Sequence, residues 1–428
     1  MHLAATISEH PVVAHAVGEC VGEILERRGD SPDLLVLCIS ERLQGATEDI
    51  AAATRALLSP EVLLGVTSST MSVGQRSSHH IPALAMLAVW HARPSRSSGQ
   101  PAIEPDWQVR SERMAAVRLT DESDVAKMAG RTGTLLLFAD PFSTQPGSLV
   151  ERIHEVAPDL FVMAASSDSA RRPSMSLMVL DDSLHSDGAV GVHFPGEFPH
   201  RVLCSFGFTP IGAKLRLGAN DGSRIHELDG HAAKDVLEKA IEGLAPAERA
   251  AASSGLYLRW SAQVNPGPDV PRFCAVLGTD GDSVVFAGER PADATAVQFH
   301  VRDAESVDAG LRRMAVANSD LPGGLFLVAQ RPERSGARPV TQEAWPVTHD
   351  RPVTQGSDSQ GSDSQEHPGT RLFAGPSVDD PIREDAAILG EEIARSDLLG
   401  IRCGEVILAD RGGVVAANSA VTILGLVD

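Results

Sequence analysis

Three groups of residues have the types and spacing that chemistry needs. Ser68 and Ser69 close the apolar run EVLLGVTSST (61–70), and Arg402, Cys403, Gly404 and Glu405 sit inside DLLGIRCGEVILA (397–409). A hydroxyl or thiol where a buried strand meets a loop is the place for a nucleophile elbow, but no GxSxG accompanies either stretch. Cys403 becomes a nucleophile only if a positive neighbour such as Arg402 lowers its pKa; the plainer reading is a small packed residue. Glu405, acidic and next to glycine, suits a ligand's ammonium or amide group, or else a hydrogen bond from a nearby backbone N–H. The third group is histidine. His79 and His80 are adjacent, and neighbours in a strand point to opposite faces. His226 and His231 flank Asp229-Gly230 with Glu227 beside them, and nothing in that spacing forces imidazoles and carboxylate onto one metal. No catalytic residue, metal site or cofactor is expected.

The elements that must position these groups come in repeated order. HAVGECVGEILERR (15–28) places Val17, Cys20, Val21, Ile24 and Leu25 on one helical face. DLLVLCIS (33–40) is a continuous apolar run, as a strand covered on both sides requires. TEDIAAATRALL (47–58) returns as a helix with Thr47 at its N-cap. EVLLGVTSST and IPALAMLAVW (81–90) follow as strands. The same order recurs in GTLLLFAD (133–140), PGSLVERIHEV (146–156), DLFVMAASSD (159–168) and SMSLMVLDD (174–182). A third copy runs from GLFLVAQ (324–330) through PIREDAAILGEEIA (381–394) to DLLGIRCGEVILA and AVTILGLV (420–427). In each copy a strand ends in small residues, at 65–69, 164–167 and 400–405, where a ligand or another backbone can approach closely.

Between the second and third copies, VLCSFGFTPIGAKLRLGANDGSRIHELDG (202–230) reads as a strand meander with Asn220-Asp221-Gly222 as a hairpin turn. RIHELDGHAAKDVLEKAI (224–241) then gives a short strand, an Asp-Gly turn and a helix with Ala233, Val236, Leu237, Ala240 and Ile241 on one face. It looks like a phosphate-binding entry, but GxGxxG and the Walker lysine motif are both missing. Strands at 255–260 and 272–288 follow, the latter a hairpin about Asp280-Gly281. Residues 331–370 change character: PVT occurs three times and GSDSQ twice, with Trp345 almost the sole large apolar residue. That composition buries too little surface to offset ordering entropy, so a disordered surface insertion is expected. A shorter linker-like stretch spans 92–108.

Bulk properties exclude several classes. A formal charge of −20 argues against a nucleic-acid backbone or an anionic membrane as partner. The five cysteines form no CxxC, which points to buried free thiols in a reducing compartment. The N-terminus lacks the pattern of a signal peptide, and no apolar run reaches the roughly 18 residues of a membrane span. A cytoplasmic α/β protein is expected, in two halves of related strand–helix–strand units, with mixed sheets flanked by helices.

The ordered run of PDLLVLCIS, PEVLLGVTSSTMSVG and IPALAMLAVW resembles the N-terminal half of FIST domains. FTPIG followed by SRIHELDGHAAKDVLEKAI resembles the family's junction, and LLGIRCGEVILA its C-terminal element, with Gly400, Gly404 and Glu405 matching. The resemblance spans about 30 to 428 apart from the insertion. It implies an N-terminal FIST-like domain at 1–225 and a C-terminal one at 226–428. It also implies an intracellular sensory, non-enzymatic role: binding a small ligand, an amino acid or related polar metabolite. The chain departs from the family where a Cys-x-Gly-Arg-Gly-like stretch is replaced by Ala329-Gln330-Arg331-Pro332, and it carries no kinase, PAS or F-box segment, so its output would pass through a separate protein partner. The expected pocket lies where turns 65–69 and 400–405 meet, with Gly65, Ser68, Ser69, Arg402, Gly404 and Glu405 as ligand contacts. Two alternatives stand beside it. One is an interaction scaffold without a ligand, docking through the acidic surface and the insertion; the other is a hydrolase or transferase using Cys403 or Ser68.

Overall fold

The apolar runs become strands covered on both faces. The computed structural model describes residues 2–90, 114–169, 172–196, 200–262, 272–288, 290–292, 294–329, 381–392, 397–410, 413–416 and 421–426. The 331–370 insertion and the 92–108 linker lie outside the described residues.

The first unit holds β1 (His2–Ser8), α1 (Val13–Arg27), β2 (Leu34–Ser40), a 3-10 turn (Glu41–Ala46) and α2 (Thr47–Leu58), then β3 (Val62–Ser68), β4 (Thr70–Val73), β5 (Arg76–His79) and β6 (Leu84–Trp90). β2 and β3 run parallel, and β6 lies antiparallel between β1 and β2. Alternation along β2 explains its all-apolar sequence. Leu34, Val36 and Cys38 enter a central core, whereas Leu35, Leu37 and Ile39 pack under α1 and α2.

The second unit repeats this with β7 (Ala115–Leu119), α3 (Glu122–Ala126), β8 (Gly133–Ala139), α4 (Pro146–Val156), β9 (Leu160–Ser167), the hairpin β10 (Met178–Leu180) and β11 (Ser183–His185), and β12 (Ala189–Phe194). Its order β7-β12-β8-β9 matches β1-β6-β2-β3. The third unit begins with β13 (His200–Ser205) and is interrupted by a separate sheet. The inserted region contains β14 (Thr209–Arg216), β15 (Asn220–Asp221), β16 (Arg224–Ile225), β17 (Glu227–Leu228), β18 (His231–Ala232), α5 (Ala233–Glu242), α6 (Pro246–Ser254), β19 (Leu256–Ala262), β20 (Phe273–Asp280), β21 (Ser283–Phe286) and β22 (Ala294–Val301); β17 and β18 pair with each other as a two-stranded sheet, and the other strands form one seven-stranded sheet. The third unit then resumes with α7 (Ala304–Ala317), β23 (Gly323–Val328), α8 (Pro381–Glu392), β24 (Asp397–Asp410), β25 (Gly413–Ala416) and β26 (Val421–Leu426), and its order β13-β26-β23-β24 is the same again.

The three units exchange hairpins. After β3, hairpin β4–β5 pairs with β24 of the third unit. After β9, hairpin β10–β11 pairs with β3 of the first. The distal half of β24, with β25, pairs with β9 of the second. Each unit therefore donates to another, and the inner sheet faces meet in one core that includes Val66, Phe138, Met163, Leu327 and Ile401. The inserted sheet has its own core under α5 and α6, with Leu237, Leu258, Trp260 and Phe299.

Several expectations change in detail. RIHELDGHAAKDVLEKAI lies in the inserted region: Asp229 and Gly230, both at positive φ, form the tight turn between β17 and β18, and Leu237 fixes α5 to the core. The 225/226 division falls between β16 and β17. Leu25 is 41% exposed, because the buried stripe of α1 ends at Ile24. Thr47 is the first residue of α2 rather than its cap, since the 3-10 turn runs straight into the helix; its hydroxyl donates to the Gln44 carbonyl at 2.8 Å. Of 174–182 only Met178–Leu180 is strand, and it joins the first unit's sheet. The counterpart of β6 is β12, where Gly191 is needed because a Cβ there would lie 1.9 Å from the Leu136 carbonyl oxygen.

Candidate functional site

Each unit crosses from its third strand into its exchanged hairpin, and the three crossovers meet. They are Ser68-Ser69-Thr70, Ser167-Asp168-Ser169 and Arg402-Cys403-Gly404. The last is a bend within β24 rather than a strand end. Between Cys403, opposite Ser167, and Val406, opposite Ala165, the strand carries one extra residue, a bulge at Gly404-Glu405. Bulges re-aim side chains, and this one turns the chain from the third sheet towards the second.

Hydroxyls satisfy the buried backbone at this junction. Ser68 is fully buried. Its Oγ lies 2.9 Å from the Thr70 carbonyl, 2.9 Å from the Arg402 carbonyl and 3.0 Å from Asp168 Oδ1, and its single proton can serve one of them at a time. Ser167 Oγ donates to the Thr67 carbonyl at 2.8 Å and Ser169 Oγ to Thr67 Oγ1 at 2.9 Å. Asp168 is held most firmly: Ser69 donates its backbone N–H to Oδ1 at 2.9 Å and its hydroxyl to Oδ2. Together the two donors fix the orientation of the carboxyl group.

A cavity of about 360 Å³ opens at this junction, lined by Ser69, Asp168, Arg402, Cys403 and Gly404 together with Glu41 and His80. Arg402 Nε stands 3.7 Å from Asp168 Oδ2 with the guanidinium side chain 35% exposed, so it faces the cavity with hydrogen-bonding capacity to spare. His80 Nδ1 lies 2.8 Å from Glu41 Oε1. The Arg402 guanidinium and the Asp168 and Glu41 carboxyl groups thus line a space large enough for a small metabolite.

Of the residues expected from sequence, Ser69, Arg402 and Gly404 line the cavity. Ser68 lies beneath it and supports Asp168. Gly65 is within β3, away from the cavity; a Cβ there would sit 3.0 Å from Val179 Cβ, so its role is to let β10 pack. The Glu405 side chain lies outside the described residues. Cys403 is 4% exposed, and burial pushes its thiol well above the usual range, with the Asp168 charge and Cys38 adding to the effect. The lowering by Arg402 that a thiol nucleophile requires is not what this surrounding provides. His79 and His80 also depart from expectation. His80 has φ +53, which ends the strand alternation, and the two rings lie with centroids 3.9 Å apart and planes tilted by 50°.

Asp168 and Glu41 were not singled out in the sequence, and His80 was weighed there only as half of an adjacent histidine pair. Asp168 carried a signal, since it directly follows the small-residue run of the second copy. Glu41 follows β2 with no local pattern to mark it. Among the described residues no group of three His, Cys, Asp or Glu could hold a metal ion, and no helix is long and apolar enough to cross a membrane.

Fold and site together define an α/β protein of three repeated units whose crossovers line a polar cavity. Residues 33–231 match the family model described as the FIST N domain. The match contains Ser68, Ser69 and Asp168 and stops before Arg402, so the C-terminal half keeps only the motif resemblance given above. FIST domains are generally small-ligand-binding sensory domains of signalling proteins, a binding family rather than a catalytic one. The chain is also similar to "Uncharacterized protein Rv0628c" of Mycobacterium tuberculosis (strain ATCC 25618 / H37Rv), with 29% identity over 76% of this chain and 82% of the relative. "Uncharacterized protein Mb0898c" of Mycobacterium bovis (strain ATCC BAA-935 / AF2122/97) shares 28% over 76% and 82%.

Proposed function

We propose that this chain is a sensory protein that binds a small polar metabolite, an amino acid or a relative, in the cavity at the three crossovers and signals through a separate partner. The observation that carries this reading is the opposed pair Asp168 and Arg402, 3.7 Å apart on a cavity wall made by the second and third units. A carboxylate fixed by Ser69 suits an ammonium group, and a partly exposed guanidinium suits a carboxylate. Because the wall is shared between units, a ligand bridging these two residues also ties the units together. That is how occupancy becomes a change in stability or shape that a partner can sense.

A catalytic reading is less well supported. Ser68 is sealed from the cavity and its oxygen is committed to the junction, while Cys403 is held as a neutral thiol. The test is thermal denaturation against a panel of amino acids and related amines. A ligand present at one hundred times its Kd adds about 2.7 kcal/mol of stability. A shift by at least one compound that is lost in Asp168→Asn and Arg402→Gln is expected. A shift that both variants retain would place the binding site elsewhere.

A further inference from the structure

The cavity at the crossovers does not stand alone. A second cavity of about 290 Å³ adjoins it at Glu41, which lines both, and is otherwise lined by Arg42, Gln44, Ser169, Arg172 and Met175. The chain continuity is close: Arg42 follows Glu41, and Ser169 follows Asp168. In a protein with 57 acidic and 37 basic residues, two arginines on one small cavity run against the overall charge. Among the described residues neither Arg42 nor Arg172 forms an ion pair. Arg42 uses its Nε to donate to the His80 carbonyl at 3.2 Å, which fixes the side chain and leaves its terminal nitrogens available. The Glu41 carboxylate, the acid shared by both cavities, is engaged by His80 at 2.8 Å rather than by either arginine.

We infer that the ligand has two poles: a cationic head at Asp168 and an anionic tail, carboxylate or phosphate, at Arg42 and Arg172. This rests on the reading that the Asp168 cavity binds a small polar molecule, and it adds the tail as the feature that selects among such molecules. A planar guanidinium offers parallel N–H donors that match the oxygens of either anion. Both arginines are exposed, so their contribution weakens as salt rises.

The experiment is calorimetric titration of the full chain with L-alanine, L-glutamate and O-phospho-L-serine, which share a head and differ in tail. Glutamate or phosphoserine is expected to bind at least ten-fold tighter than alanine. In the double variant Arg42→Gln/Arg172→Gln that advantage disappears while alanine binds as before. Whichever tailed compound gains more identifies the tail group. Tailed compounds that bind no tighter than alanine, or an advantage that survives in the double variant, overturn the inference and leave the Asp168 reading intact. If alanine and both tailed compounds fail to bind, the inference and the reading beneath it fall together. Both substitutions are at exposed positions, and an unchanged melting temperature of the ligand-free variant confirms its fold.

Discussion

Ser69 holds Asp168 at both carboxylate oxygens, through its backbone N–H at 2.9 Å and through its hydroxyl, across a sequence separation of 99 residues. One residue belongs to the first unit's crossover and the other to the second's. The site is therefore assembled by the exchange of hairpins between repeats, and the geometry of its carboxylate reports how the units are joined.

Removing the hydroxyl in Ser69→Ala leaves Asp168 Oδ2 without this donor at a largely buried position. A cost of about 1–3 kcal/mol is expected, read as a lower urea midpoint with unchanged slope. An unaltered midpoint would mean that the Ser69 hydroxyl does not hold the carboxylate.

Two glycines of β24 should respond differently to alanine. At Gly400 a Cβ would lie 2.2 Å from Phe326 Cζ and 2.4 Å from Ser72 Oγ. Phe326 is fully buried, so Gly400→Ala is expected to cost about 1–3 kcal/mol or more, measured by chemical denaturation. At Gly404 the nearest atom would be Ser166 Oγ at 3.1 Å. Gly404→Ala should fold with nearly native stability and still weaken ligand binding, because the new methyl narrows the cavity.

His300 gives the inserted sheet a pH dependence. Burial among Phe273, Phe208 and the sheet lowers its pKa from the ordinary 6.5, with Arg259 acting in the same direction and the Gln298 carbonyl opposing. The unfolded chain then binds the proton more readily than the folded one. Stability is full above about 6.5 and declines as pH falls through that value towards the lower folded pKa. His193, also lowered by burial, adds to the same trend. The melting temperature should fall between pH 7 and pH 5, and less steeply in His300→Gln. Equal slopes for the two proteins would remove His300 from this account.

Cys403 should resist a mild thiol reagent at neutral pH, because its thiol is buried and its pKa is raised. Mass spectrometry of the native protein is expected to show no adduct at Cys403. Rapid stoichiometric labelling there would revive the nucleophile alternative.

Much of the frame is legible in the sequence because burial on both faces writes itself as unbroken apolar runs: LLVLCIS, VLLGVTS and LAMLAVW are all strands with every residue buried. The small-residue runs that recur in each copy lie at or beside the three crossovers that line the cavity. What could not be read locally was pairing at long range. β13 and β26 are partners across the whole inserted sheet, so 206–303 looked like a continuation rather than an interruption. β12 was missed because AVGVHF carries a glycine whose reason is a carbonyl on β8. Asp168 acquires its role from Ser69 and Arg402, neither of them a sequence neighbour, and His80 from a single positive φ.

The central claim is that the three crossovers bind a small polar molecule. Native mass spectrometry of the full chain, purified gently from its own cells, tests it most directly when run beside the Arg402→Gln variant. A reproducible small-metabolite mass on the wild-type protein, released on denaturation and missing from the variant, is the predicted result. The same bound mass on both proteins would contradict the account, because the ligand would then be held somewhere other than the cavity that Asp168 and Arg402 share.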